Sequence, residues 1–436
     1  MSSYKRRATV GDTEWFVNDR FGMFIHFGLY ALPARHEWIK SNERIREDVY
    51  QRYFERFDPD LFDAREWAKN AKAAGMKYAV LTTKHHEGFC LFDTKYTDYN
   101  IMNTPFGRDL VREYVEAFRA EGLKVGFYYS LIDWHHPDFT LDGIHPRRDD
   151  SDPAEFNKGR DMRRYAEYMR NQVTELLTNY GKIDILWFDF SYPNNTYKGM
   201  PGKGKDDWEA EKLIALVRSL QPHIIIDNRT GVEGDIRTPE QYQVTEWPRH
   251  PETGELVTWE ACQTFSGSWG YHRDETTWKS PDMLIRMLIT TVAFGGNLLM
   301  NVGPTARGCF DKRADNALGV FGEWMHYNGR SIYGCTMAEP ELLPTCPFGC
   351  RYTQSDDGTR LYIHIFDYPY QFLEVKGLAG KVAYAQFLHD GSEICFTEGK
   401  TTHFSEGQSA GKEMVFVKIP FVKPDVVVPV IEVFLK

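Results

Sequence analysis

The sequence predicts an α/β chain: a (β/α)8-like barrel over residues 1–335, followed by a small C-terminal antiparallel β-sandwich over 336–436. Three observations predict it. Short apolar runs alternate with amphipathic helical patterns through the first three-quarters of the chain, the signature of a parallel sheet with right-handed crossovers. The number and length of these units suit a closed barrel better than an open sheet. Beyond about Tyr333 the helical patterns stop, and short strands separated by turn clusters take over, as in a sandwich.

In order, residues 21–27, 78–83, 125–129, 183–189 and 224–227 read as the first five barrel strands. Between them, residues 63–74 set Trp67, Ala68, Ala71 and Ala74 at helical spacing. Residues 109–120 do so with Val111, Tyr114, Val115 and Phe118, and 161–179 with Met162, Tyr165, Met169, Val173 and Leu176. Residues 207–220 follow the same rule. A late strand over 296–302, with a helix over 313–328 behind it, closes the barrel. The strand signal between Tyr242 and Cys262 is weak, and the polar stretch 197–207 reads as a surface loop. In the last hundred residues, 361–366, 382–387, 414–419 and 426–435 read as strands, with turns at Asp356-Asp357-Gly358 and Asp390-Gly391.

Composition narrows the function. Of 436 residues, 42% are hydrophobic and 15% aromatic, enough for a large core. A formal net charge of −10 with interspersed signs disfavours nucleic acid and gives no attraction to a membrane surface, and it fits an uncharged ligand. No apolar run is long enough to span a bilayer and no secretory signal is visible. Seven cysteines without a CxxC pair read as free thiols in a reducing, cytoplasmic location.

The fourth strand is the most informative. Ile183-Asp184-Ile185-Leu186-Trp187-Phe188-Asp189 is buried-strand sequence with an acid at its C-terminal end, the end where parallel barrels carry chemistry. Other strand ends add His26, then His85 and His86, then Tyr128 and Tyr129, then Trp187, then Arg229. Convergence of such groups makes a pocket. Adjacent histidines on a strand point to opposite faces, and neither HExxH nor an HxH on the first strand is present. The reading is therefore of a site without metal, with a metal-dependent barrel hydrolase as the alternative. No GxSxG elbow is present either. Glycoside hydrolysis requires two carboxyls. Asp189 supplies one, and Glu233, Asp235, Glu240, Glu246 and Glu260 are all open for the other.

Six motifs in order carry a family resemblance: Arg20-Phe21-Gly22-Met23-Phe24-Ile25-His26-Phe27-Gly28, Lys84-His85-His86-Glu87-Gly88-Phe89, Gly126-Phe127-Tyr128-Tyr129-Ser130, Asp184-Ile185-Leu186-Trp187-Phe188-Asp189, the run from Gly295-Gly296-Asn297 to Val302-Gly303-Pro304, and Glu323-Trp324 through Ile332-Tyr333-Gly334. Over nearly its whole length the chain resembles the retaining α-L-fucosidases of glycoside hydrolase family 29. The resemblance implies an exo-acting enzyme that releases L-fucose from fucosylated glycans without a cofactor, with homo-oligomers possible. It implies Asp189 as nucleophile. It implies Glu240, in Gly234-Asp235-Ile236-Arg237-Thr238-Pro239-Glu240, as acid/base, with Glu233 and then Glu246 as alternatives. His26, His85, His86, Glu37 and Trp38 would bind sugar hydroxyls, Tyr129 would lie beside the nucleophile, and Arg229 would keep it ionised. Phe24, Trp187 and Trp269 would wall the C5 methyl group of the 6-deoxy sugar. A barrel glycosidase for galactosides and a non-catalytic fucose-binding module are the remaining alternatives.

Overall fold

The computed structural model describes residues 3–149, 152–399 and 413–436. Seven parallel strands form one curled sheet: β1 Phe21–Ile25, β2 Tyr78–Lys84, β3 Lys124–Ser130, β4 Ile185–Asp189, β5 Ile225–Ile226, β6 Glu260–Thr264 and β7 Asn297–Val302. Their order is β5-β4-β3-β2-β1-β7-β6, so the last strand in sequence returns to pair with the first. The gap between β5 and β6 is filled by residues 235–241. Asp227 bridges Ile236, Arg237 bridges Trp259 and Glu240 bridges Cys262, all in parallel. The amide of Asp235 donates to the Ile226 carbonyl, and those of Glu260 and Cys262 donate to the Arg237 and Pro239 carbonyls. This irregular segment is the eighth member that closes the barrel. Pro239 has no N–H to give and breaks the regular ladder, which is why strand periodicity is faint here.

The crossover helices form where apolar spacing and caps coincide. Asp63, Asp109 and Asp161 each accept an amide N–H at the start of Ala64–Ala73, Leu110–Ala120 and Met162–Asn179. The next helix is Ala210–Leu220, starting three residues later than the expected 207. Pro281–Ala293 is a helix that the periodicity did not indicate. Its second half, Leu288 to Ala293, is buried all round, so no polar face marks it, although Ser280 caps it and Pro281 opens it. Lys312–Asn328 follows β7 as expected.

The sandwich comprises β8 Cys335–Thr336, β9 Cys350–Ser355, β10 Arg360–Ile365, β11 Phe372–Lys376, β12 Val382–Phe387, β13 Phe396–Glu398, β14 Met414–Lys418 and β15 Val430–Leu435. They form a five-stranded sheet, β12-β15-β10-β9-β8, and a three-stranded sheet, β11-β14-β13. Leu361, Ile363, Val375, Val415, Ile431 and Val433 pack between them. Trp324 Nε1 donates to the Val428 carbonyl at 3.1 Å and Arg286 to the Phe366 carbonyl at 2.7 Å, joining sandwich to barrel.

The stretch 197–207 is not wholly a surface loop. Lys203 is buried, pairing with Asp142 at 2.6 Å and donating to the Thr140 carbonyl at 2.8 Å. All seven cysteines are free thiols. Among the described residues, no helix is long and apolar enough to cross a membrane.

Candidate active site

The C-terminal ends of the barrel strands surround a cavity of about 310 Å³, its open mouth included. Alternation along each strand decides which side chains face it. On β4, Trp187 and Asp189 face inward, and on β3 so do Tyr128 and Ser130, which pair with them in register. Tyr128 donates to Asp189 Oδ2 at 2.8 Å. Tyr129, expected beside the nucleophile, lies on the opposite face of β3. Its hydroxyl donates to Gln172 of the helix Met162–Asn179 at 2.7 Å, and Lys84 sits 4.4 Å over its ring. Both faces of a barrel strand are buried, so two adjacent buried tyrosines do not reveal which one points inward.

Arg229 organises the acids. It donates through Nη1 to Asp189 Oδ1 at 3.1 Å and pairs through Nη2 with Glu240 Oε2 at 2.8 Å. Bonds to the Thr238 hydroxyl (2.9 Å) and carbonyl (3.1 Å) fix the guanidinium, which lies 4.8 Å over the Trp187 ring. Burial raises the Asp189 carboxyl above its ordinary value. Arg229 and the Tyr128 hydroxyl pull it back, and the neighbouring Glu240 adds to the rise. Burial acts against the charge of Arg229, but Asp189, Cys262 and Glu240 together outweigh it, and the guanidinium is held more firmly charged than usual.

Glu240 is the one acid among the five open candidates that lines the cavity with Asp189. Glu233 instead pairs with Arg7 at 2.9 Å and Arg237 at 3.4 Å. Asp235 accepts from the amides of Val10 and Gly11, Glu246 is exposed, and Glu260 is sealed inside the barrel.

The three histidines meet at the cavity wall. His85 and His86 lie just past β2 in a turn, not on a strand, so they do not diverge. Their rings are 4.0 Å apart and both line the cavity. The turn needs Gly88, whose φ is +85° and whose added Cβ would lie 2.2 Å from Asp133 Oδ1. Each imidazole engages a fixed partner through Nδ1: His26 with Asn301 at 2.6 Å, His86 with Ser130 at 2.7 Å and His85 with Glu87 at 3.3 Å. That leaves Nε2 for a ligand, and His86 Nε2 lies 4.0 Å from Asp189 Oδ2. Burial, then the neighbouring His85, hold His26 and His86 well below the ordinary histidine value. They are neutral rings that can give or take a hydrogen bond.

Glu37 Oε2 accepts from the amides of Trp269 (3.2 Å) and Gly270 (2.9 Å). Its Oε1 is buried, accepts no hydrogen bond and lies 3.3 Å from His36 Nδ1, an acceptor poised for a hydroxyl. Trp38 packs on His86 at 4.9 Å. Phe24 lies 5.3 Å from Trp187 and 5.9 Å from Trp269, making one continuous aromatic wall. Sequence reasoning missed two lining residues. Phe190 follows Asp189 with φ +80°, a strained turn. Cys262 lies 3.9 Å from Arg229 Nη2. Among the described residues, no group of three or more His, Cys, Asp or Glu is placed to hold a metal ion.

Residues 3–330 match the family model described as alpha-L-fucosidase. The fold is similar to α-L-fucosidase isoenzyme 1 from Paenibacillus thiaminolyticus, with a TM-score of 0.88 and 46% identity over 97% of this chain and 98% of that one. It is also similar to a GH29 α-L-fucosidase from Bacteroides thetaiotaomicron trapped as a covalent intermediate with 2-fluoro-fucosyl fluoride, with a TM-score of 0.80, 30% identity, and coverage of 100% and 98%. Human plasma α-L-fucosidase is 30% identical over 346 residues, 73% of this chain and 68% of that protein. The chain belongs to the α-L-fucosidase family.

Proposed function

We propose that the protein is a retaining α-L-fucosidase in which Asp189 is the nucleophile and Glu240 the acid/base. The bridge formed by Arg229 carries this reading: one guanidinium holds both carboxyls, which favours the short separation, roughly 5–5.5 Å, that double displacement uses. Asp189 attacks the anomeric carbon while Glu240 gives its proton to the departing glycosidic oxygen, leaving a fucosyl–aspartyl ester and a free aglycone. Glu240, now ionised, takes a proton from water. The water oxygen attacks the same carbon and expels Asp189 as carboxylate. Two inversions return L-fucose in the starting configuration.

His26, His85, His86, Trp38 and the buried Oε1 of Glu37 suit the sugar hydroxyls, and the wall of Phe24, Trp187 and Trp269 suits the C5 methyl. A fucosylated glycan is the substrate class these features support. That wall also favours a fucoside over a galactoside.

Trapping tests the assignment. Incubation with 2-fluoro-fucosyl fluoride, followed by peptide mass analysis, should place one fluorofucosyl group on the peptide bearing Asp189. A label on any other residue would overturn it.

A further inference from the structure

Glu260 opens β6 inside the barrel and is fully buried. It does not line the cavity, so the reaction has no direct use for it. A buried carboxyl without a paired cation is costly, and among the described residues no Lys, Arg or His forms an ion pair with it. Its two oxygens have specific partners. The Tyr78 hydroxyl donates to Oε1, and Trp187 Nε1 donates to Oε2 at 3.3 Å.

The Trp187 indole is a plate beneath the nucleophile. Tyr128 stacks beside it with ring centroids 5.9 Å apart and planes 20° apart, and Arg229 lies over it at 4.8 Å. Tyr128 donates to one oxygen of Asp189 and Arg229 to the other. Both donors that hold the nucleophile therefore rest on a single side chain, and the one polar atom of that side chain is held by Glu260.

We infer that Glu260 is a positioning residue of this active site, locking the Trp187 indole in the plane that places Tyr128 and Arg229 on Asp189. The inference rests on Asp189 being the nucleophile. Glu260 touches neither substrate nor Asp189. Without its acceptor, Trp187 loses the bond that fixes its rotation, and the donors above it drift.

The test is a kinetic cycle on an aryl α-L-fucoside with Glu260→Gln, Glu260→Leu, Trp187→Phe and the double variant Glu260→Leu/Trp187→Phe. Gln keeps an acceptor for Nε1–H, so its kcat should stay within about threefold of wild type. Leu should lower kcat by roughly a hundredfold, the scale of a slight misplacement at a reacting centre. It should also move the acid limb of kcat/KM to higher pH, because Asp189 loses donors that favour its ionised form. In the Trp187→Phe background the bond is already gone, so the further loss from Leu should shrink to about threefold or less. A loss of equal size in both backgrounds, or an unmoved acid limb in Glu260→Leu, would reduce Glu260 to a packing residue. If Glu260→Leu does not fold, Trp187→Phe carries the test alone: its acid limb must rise, and an unshifted limb overturns the proposal. The trapping experiment on wild-type enzyme separates the two failures. A label away from Asp189 defeats the functional reading, whereas a label on Asp189 with an additive kinetic cycle defeats only the role of Glu260.

Discussion

The hydroxyl of Tyr128 donates to Oδ2 of Asp189 at 2.8 Å, and this bond favours the carboxylate over the acid. A hydrogen bond to a charged group contributes about 1.5–3 kcal/mol. Tyr128→Phe should therefore lower kcat/KM roughly 10- to 150-fold. Asp189 is already raised by burial and restrained by Arg229 and Tyr128, so the variant's acid limb should rise further, with activity lost at a higher pH on acidification. Tyr129→Phe is the control. It removes a bond to Gln172 on the far side of the strand and should leave kcat/KM within about twofold while costing about 1 kcal/mol of stability. Equal kinetic losses in the two variants would show that ring packing, not the bond to Asp189, matters.

Glu240 acts on the leaving group, so its loss should scale with how much help that group needs. Glu240→Ala should slow fucosides of poor leaving groups by about 10²–10⁴-fold. Activated aryl fucosides should suffer far less in the first step, and added azide should speed turnover of the trapped ester by replacing the water that needs a base. Initial rates across aryl fucosides of graded leaving-group acidity check this. A flat dependence would place the acid/base elsewhere.

The sequence made much of this site legible because barrel strands are strongly patterned and their C-terminal ends are where chemistry collects. His26, His85, His86, Trp187, Asp189 and Arg229 could each be placed by that rule. Tyr128 could not be separated from Tyr129, since period-two alternation says that neighbours diverge but not which one faces inward when both sides are buried. Glu240 sits on the irregular segment 235–241, where Pro239 interrupts the pairing and erases the strand signal, and only family resemblance pointed to it. Lys203 looked like solvent-exposed charge because its partner, Asp142, is distant in sequence. In the sandwich, Phe372–Lys376 is a strand whose alternate residues Phe372, Glu374 and Lys376 are less buried than Leu373 and Val375, a pattern too short and polar to stand out.

Burial of Glu260 makes a separate prediction about stability. Its carboxyl is raised from 4.5 to about 7 by burial, which outweighs the hydrogen bonds from Tyr78 and Trp187. Between those two values the folded protein binds a proton that the unfolded chain has released. Stability should therefore fall as pH rises through this window and level off above about 7. At about 1.4 kcal/mol per pH unit, the fall amounts to roughly 3 kcal/mol. Glu260→Gln has no proton to lose, so its stability relative to wild type should climb by that amount from pH 4.5 to 7. Urea melts at several pH values measure it, and a constant difference across the window would mean that Glu260 is ionised throughout.

The aromatic wall should decide between a methyl and a hydroxymethyl group. Phe24, Trp187 and Trp269 form one apolar surface. Burying the C5 methyl there contributes about 0.8 kcal/mol, and forcing a C6 hydroxyl against it without a partner costs about 1–3 kcal/mol. The wild-type enzyme should therefore prefer an aryl α-L-fucoside to the matching α-L-galactoside by roughly 2–4 kcal/mol in kcat/KM, about 30-fold to nearly 1,000-fold. Trp269 is the member to truncate, because it is carried on a loop whose backbone is held independently: its amide donates to Glu37 at 3.2 Å and its carbonyl accepts from Asn301 at 2.6 Å. In Trp269→Ala water reaches the wall, and the preference should drop by about tenfold, mainly through loss on the fucoside. If truncation slows both substrates equally, Trp269 does not face the methyl, and discrimination lies with Phe24 and Trp187 deeper in the barrel.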